Sequence, residues 1–140
     1  MRYCVDTDVL IKHLRGHPSV RGKVEAVRGE WAISTITHYE LLKGVYLAAD
    51  TKKALGDLDA LLAGVLILAT TSAINMLAAE HHARLLRGGQ RLPDPDLLIG
   101  ATALAHNLTL ATGNTAHFSR LTGLRLENWI EDTKPPPSGP

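Results

Sequence analysis

The segment 92–114, LPDPDLLIGATALAHNLTLATGN, constrains the fold more than any other part of the chain. Apolar residues recur at helical spacing over 97–105, after an acidic start at which Asp94 can cap the helix. Asn107 is suited to ending that helix in a left-handed conformation, and the run 109–112 predicts a short buried strand. A helix followed this closely by a buried strand is typical of an α/β protein.

Short strands and helices alternate along the rest of the chain as well. Besides 109–112, apolar runs predict strands at 2–5, 31–33, 65–69 and 124–126. The run 65–69, VLILA, is the clearest of them. We therefore predict an α/β fold, a three-layer α/β/α sandwich with a short parallel central sheet. In such a sheet the carboxyl ends of the strands share one edge, where ligands and catalytic residues collect.

The composition gives no sign of a membrane or of a strongly charged partner. The 140 residues suffice for one domain, and 15 Lys and Arg against 14 Asp and Glu leave a net charge of +1. The single cysteine, Cys4, lies in an apolar run, which predicts a core residue in a reducing compartment. Because no signal peptide or long apolar run is found, we expect a cytoplasmic protein. The Pro-rich end, 133–140, predicts a disordered tail.

Three acidic residues stand at the boundaries of the predicted elements: Asp6 after the first strand, Glu40 early in a helix and Asp96 early in another. Each acid has a structural explanation when it is taken alone. Asp6 can cap the first helix, and Glu40 can form a capping box with Thr37. Asp96 suits the positive end of its helix dipole.

Taken together, these acids and Asn114, which follows the strand 109–112, predict one site at the carboxyl edge of the sheet. Carboxylates that are crowded together repel one another unless a cation lies between them. Oxygen ligands favour Mg²⁺ or Mn²⁺, and such an ion assists the attack of water on a phosphodiester. The residues therefore predict metal-assisted phosphodiester hydrolysis.

Four blocks of the sequence carry a family resemblance in the right order: YCVDTDVLI at 3–11, TITHYELLKG at 35–44, DLLIGATA at 96–103 and TGNTAHF at 112–118. The ending GLRLENW, 123–129, also fits. The chain resembles PIN-domain proteins, in particular the VapC toxins of type II toxin–antitoxin pairs. The resemblance covers about residues 1–132.

The resemblance implies a PIN-like nuclease domain, 1–132, that acts as a Mg²⁺- or Mn²⁺-dependent endoribonuclease. It further implies a homodimer that a cognate antitoxin holds inactive. Carried over by position, Asp6, Glu40 and Asp96 would be the metal-binding acids. Thr7 and either Thr112 or Asn114 would orient water or the RNA substrate.

The sequence departs from the fullest family pattern at the fourth acid. Where many relatives have Asp, the fourth block has Asn114 and His117. Asp94 and Asp8 are alternatives for that role. The departure leaves open whether one metal ion binds or two.

Basic side chains could rim the acidic pocket and hold RNA phosphates, which fixes position but not sequence. The candidates are Lys12, Arg15, Lys43 and Arg91. For Lys43, an ion pair with Glu40 one turn away on the helix is the simpler explanation. Because few aromatic residues are available for base stacking, recognition of a single-stranded loop would rest on shape and polar contacts.

Two other functions stay open at this point. A phosphohydrolase of the haloacid dehalogenase type would use Asp6 as nucleophile and Asp8 as acid and base, but 112–114 lacks the lysine that it needs. A degenerate PIN-like module that only binds a partner or RNA would explain the missing fourth acid. For a homodimer, the predicted helices near 52–62 and 72–86 have apolar surface to spare. An antitoxin could lay an amphipathic helix in a groove between helices.

Overall fold

The computed structural model describes residues 1–130, so the predicted tail lies outside the described residues. The strands are β1 (Tyr3–Val5), β2 (Trp31–Ser34), β3 (Leu66–Leu68), β4 (Thr109–Thr112) and β5 (Leu126–Asn128). The helices are α1 (Thr7–Leu14), α2 (Pro18–Ala26), α3 (Thr35–Leu47), α4 (Thr51–Leu62), α5 (Ser72–Arg87), α6 (Asp94–Ala105) and α7 (Thr115–Phe118). None of these helices is both long enough and apolar enough to cross a membrane.

The sheet lies between two helical layers, because successive side chains of each strand point to opposite faces. In β1, Tyr3 and Val5 join the core beneath α1 to α4, whereas Cys4 joins the core beneath α5 and α6. Cys4 is fully buried, and burial raises the pKa of its thiol to about 12. The predicted three-layer sandwich is confirmed, and Cys4 is a core residue as predicted.

The strand order, β3-β2-β1-β4-β5, places β1 at the centre of a sheet in which all neighbouring strands are parallel. The chain adds β2 and β3 on one side of β1 and then returns to add β4 and β5 on the other. The order therefore reverses between β1 and β4. In parallel sheets a crevice opens at the carboxyl ends of the strands at such a point.

Two strand predictions need correction. The run 65–69 forms only β3, at the edge of the sheet, where Leu66 is 53% and Ile67 36% exposed. The last strand is Leu126–Asn128 rather than 124–126. An apolar run identifies a strand, but its burial depends on the strand order, which is set by contacts far apart in sequence.

Helix α6 agrees with the prediction except at its first residue. Asp94 is the first helical residue and not the N-cap, which is Pro93 and makes no side-chain hydrogen bond. Asp96 lies in the first turn as predicted. At the other end Asn107 has a φ of 55°, which confirms the predicted left-handed stop.

Candidate active site

Asp6 joins the end of β1 to the start of α1 and is only 6% exposed. Its Oδ1 accepts a hydrogen bond from the Thr7 amide at 2.8 Å, and its Oδ2 accepts one from the Thr112 hydroxyl at 2.8 Å. Burial, and after it the Asp8 carboxylate, raise the pKa of Asp6 to about 7 in spite of these hydrogen bonds. Asp6 therefore caps α1, as predicted, and also binds the end of β4.

Glu40 is held by α1 rather than by its own helix. Ser34 caps α3, since its Oγ accepts a hydrogen bond from the Thr37 amide at 3.0 Å. The Thr7 hydroxyl donates to Glu40 Oε1 at 2.7 Å. The predicted capping box of Thr37 and Glu40 is therefore wrong, because the Glu40 carboxylate binds Thr7 instead of returning to the Thr37 backbone.

Asp8 belongs to the same group of side chains, although for a PIN-like nuclease the sequence offers it only as a substitute for the missing fourth acid. Its Oδ1 accepts a hydrogen bond from the Val9 amide at 2.7 Å, and its Oδ2 accepts one from the Gly113 amide at 3.0 Å. A Cβ at Gly113 would lie 3.0 Å from Asp8 Oδ2, so a glycine lets the backbone after β4 approach the carboxylate. The spacing of Asp8 two residues after Asp6 was the only sequence signal for this position.

Asp96 reaches the group from the first turn of α6. Its Oδ2 lies 3.7 Å from His117 Nδ1, and His117 Nδ1 lies 3.0 Å from Asn114 Nδ2. Burial raises the pKa of Asp96, the Glu40 and Asp8 carboxylates raise it further, and His117 acts in the opposite direction. Asn114 and His117 thus lie beside Asp96 at the end of β4.

Asp6, Asp8, Glu40 and Asp96 are called here the acid cluster, and within residues 1–130 His117 is the only basic side chain paired with them. In the described part of the chain, no Lys or Arg nitrogen lies within 4.0 Å of them. Nor does any group of three or more His, Cys, Asp or Glu side chains within 1–130 have an arrangement that could hold a metal ion. The acids influence one another electrostatically, while the oxygens of Asp6, Asp8 and Glu40 accept hydrogen bonds from Thr hydroxyls and backbone amides.

The basic side chains predicted to rim the pocket form no ion pair with the acid cluster in residues 1–130. Lys43 does not pair with Glu40; its Nζ lies 5.2 Å from the centroid of the Tyr39 ring. The predicted helical ion pair is therefore wrong. Arg91 is exposed, and its carbonyl oxygen accepts a hydrogen bond from Arg120 Nη1 at 2.9 Å.

Sequence comparison finds close relatives over almost the whole chain. The sequence profile of the PIN domain matches residues 3–124. The chain is 32% identical to ribonuclease VapC2 of Rickettsia felis over 92% of this chain and 98% of that protein. It is 27% identical to the tRNA(fMet)-specific endonuclease VapC of Shigella flexneri, over 92% of this chain and 98% of the relative.

The solved structures that match this chain in fold come from the same group of proteins as the sequence relatives. A chain in the crystal structure of VapBC2 from Rickettsia felis, bound to a DNA fragment from their promoter, superposes with a TM-score of 0.85 at 30% identity. That match covers 92% of this chain and 99% of the other. VapBC-5 of Mycobacterium tuberculosis, described as a member of the VapBC family of toxin-antitoxin systems, matches with a TM-score of 0.68 at 26% identity, over 90% and 95% of the two chains. The sequence profile, the sequence relatives and the solved structures all indicate the same family, and the chain therefore belongs to the PIN domain family.

Proposed function

We propose that this chain is a metal-dependent endoribonuclease toxin that a cognate antitoxin neutralises. The observation that carries the proposal is the acid cluster, in which four carboxyl groups lie together at the carboxyl edge of the sheet without a Lys or Arg partner in residues 1–130. The relatives named ribonucleases support an RNA phosphodiester as the substrate.

The chemistry of the donor set fits Mg²⁺ or Mn²⁺, because carboxylate oxygens are hard ligands and mutual repulsion favours a cation between them. Asp6, Glu40 and Asp96 would hold the ion, and side-chain rotation would release their oxygens from the present hydrogen bonds. When bound, the ion lowers the pKa of water and stabilises negative charge on the phosphate oxygens.

The hydroxyl groups around the cluster would orient the acids rather than the RNA. Thr112 fixes Asp6 and Thr7 fixes Glu40, each through one hydrogen bond of 2.8 or 2.7 Å. We therefore assign both threonines a positioning role, in place of direct contact with substrate.

The remaining predicted residues take roles around this centre. Asn114 and His117 form a hydrogen-bonded pair beside Asp96. They would contact either the substrate or Asp96 itself. Lys43 and Arg91 would attract RNA phosphates from the rim through charge. A homodimer and a cytoplasmic location stay predictions.

The alternative of a haloacid dehalogenase-like phosphohydrolase has no support in this site. Both oxygens of Asp6, its would-be nucleophile, accept hydrogen bonds, and β4 is followed by no lysine at 112–114. A binding module without activity remains the competing hypothesis, and a cleavage assay decides between the two.

The test compares RNA cleavage by purified wild type, Asp96→Asn and Asp94→Asn in Mg²⁺, in Mn²⁺ and in EDTA. Asp94 is the matched control, because it lies on the same helical turn and is exposed. We expect metal-dependent cleavage that Asp96→Asn lowers by about 100-fold or more and that Asp94→Asn leaves unchanged. Equal cleavage by both variants would contradict the assigned site. Folded wild type that cuts no RNA with either metal would favour the binding module.

A further inference from the structure

Both carboxylate oxygens of Asp8 accept hydrogen bonds from backbone amides. Oδ1 accepts from Val9, in the same helix, at 2.7 Å, and Oδ2 accepts from Gly113, directly after β4, at 3.0 Å. Within residues 1–130, no other acid of the acid cluster is held by two backbone amides. Asp8 therefore connects the first turn of α1 to the residue that follows β4.

The residues Thr112, Gly113 and Asn114, called here the β4 turn, are fixed by hydrogen bonds to the start of α1. The Thr112 hydroxyl donates to Asp6 Oδ2 at 2.8 Å and accepts from the Asn114 amide at 2.9 Å. The Gly113 amide donates to Asp8 Oδ2 at 3.0 Å. The conformation of the β4 turn thus depends on two carboxylates, Asp6 and Asp8.

Gly113 is closely packed against Asp8. A Cβ at Gly113 would lie 3.0 Å from Asp8 Oδ2 and 2.5 Å from Ile130 Cδ1, so the backbone approaches the carboxylate with no side chain between them. Without the carboxylate, the half-buried Gly113 amide would lose its acceptor. An unsatisfied amide is costly, so its loss favours a different conformation of the turn.

The β4 turn determines where Asn114 lies. Asn114 Nδ2 lies 3.0 Å from His117 Nδ1, which in turn lies 3.7 Å from Asp96 Oδ2. Although Asn114 is the N-cap of α7, its side chain makes no capping hydrogen bond there. The place of the Asn114 side chain beside Asp96 therefore depends on the backbone of the β4 turn.

We propose that Asp8 is a positioning residue, which holds the β4 turn so that Asn114 and His117 stay beside Asp96. This inference rests on the proposed function, in which Asp96 binds the metal ion. It gives Asp8 a different role from that of a fourth metal-binding acid. A metal-binding acid needs its negative charge, whereas a positioning residue needs only an oxygen that accepts from Gly113.

The first test uses the metal-free protein and measures two signals by NMR: hydrogen exchange of the Gly113 amide and the ring-nitrogen shifts of His117. Asp8→Ala removes the acceptor, and Asp8→Ser is a second variant whose side chain is too short to reach Gly113. Asp8→Asn is the matched control, because it removes the same charge but keeps an acceptor oxygen. Asp94→Ala is the control for the loss of an exposed acid.

We expect the Gly113 amide to exchange about 2- to 10-fold faster in Asp8→Ala and in Asp8→Ser, because a hydrogen bond is lost. The His117 resonances should shift in the same two variants. Asp8→Asn and Asp94→Ala should leave both signals close to those of wild type. An effect of charge alone would instead appear equally in Asp8→Asn and Asp8→Ala.

The second test is a double-mutant cycle on kcat for metal-dependent RNA cleavage. Asp8→Ala should lower kcat by about 10- to 100-fold in the wild-type background, because it displaces groups beside Asp96. In the Asn114→Ala background it should lower kcat little further, since both substitutions remove the same arrangement. The metal concentration for half-maximal cleavage should stay within about 2-fold of wild type in Asp8→Asn, whereas it would rise if Asp8 were a ligand.

The inference is overturned if the Gly113 and His117 signals of Asp8→Ala match those of wild type. It is also overturned if Asp8→Asn loses as much cleavage as Asp8→Ala, or if the losses from Asp8→Ala and Asn114→Ala simply add. Failure of the proposed function is distinguishable, because the NMR signals would then respond to Asp8→Ala while the wild type itself cleaves no RNA.

Discussion

Replacing Asp6 with Asn should stabilise the metal-free protein at neutral pH. Burial and the Asp8 carboxylate raise the pKa of Asp6 from 3.8 to about 7, a difference of about three units, which corresponds to at most about 4 kcal/mol. Asn carries no charge, but it matches the hydrogen bonds from Thr7 and Thr112 less well, at a cost of about 1–2 kcal/mol. We therefore expect Asp6→Asn to raise the free energy of unfolding by about 1–3 kcal/mol at pH 8 in EDTA.

The raised pKa of Asp6 also determines how the stability of the wild type changes with pH. The folded chain binds the Asp6 proton more tightly than the unfolded chain does, so the wild type keeps its full stability below about pH 4 and loses part of it as the pH rises to about 7. The advantage of Asp6→Asn should grow across the same interval. If a substitution that removes a proposed metal ligand stabilises the protein, then Asp6 is kept for function at a cost in stability.

Urea denaturation in EDTA at several pH values measures the effect, with Asp94→Asn as the control for loss of an exposed carboxylate. Asp94→Asn should leave the free energy of unfolding within about 0.5 kcal/mol of wild type. If Asp6→Asn were destabilising by the same amount at pH 4 and pH 8, its hydrogen bonds would outweigh its charge, and the electrostatic reasoning would be refuted.

Three further substitutions or reactions test the packing. Gly113→Ala brings a Cβ within 2.5 Å of Ile130 Cδ1, so it should lower stability by about 1–3 kcal/mol in thermal unfolding. Gly44 is exposed on α3, and a Cβ there meets no atom within 4 Å, so Gly44→Ala should instead raise stability by about 1 kcal/mol. A loss would indicate that Gly44 has a role in packing. Cys4, with its pKa raised to about 12, should resist alkylation at pH 8.5 until urea unfolds the chain. Rapid alkylation of the native protein would disprove its burial.

The positions of the acids at element boundaries were visible in the sequence, but their partners were not. The hydroxyl that binds Asp6 comes from Thr112, 106 residues away, and the hydroxyl that binds Glu40 comes from Thr7, 33 residues away. Asp8 lies in the first turn of α1, where the helix dipole is a sufficient local explanation for an acid. Its bond to Gly113 exists only because β4 lies next to β1.

The sequence by itself determined the local elements and the places of the acidic residues at their boundaries. Periodicity and stop residues predicted β4, most of α6 and the left-handed Asn107, since these depend on interactions within a few residues. The tertiary structure decided which strand lies at the edge, where β3 leaves Leu66 exposed. It also decided that Glu40 binds Thr7 rather than its own helix end. These outcomes follow from the strand order, because a parallel sheet brings together chain segments whose separation in sequence no local pattern encodes.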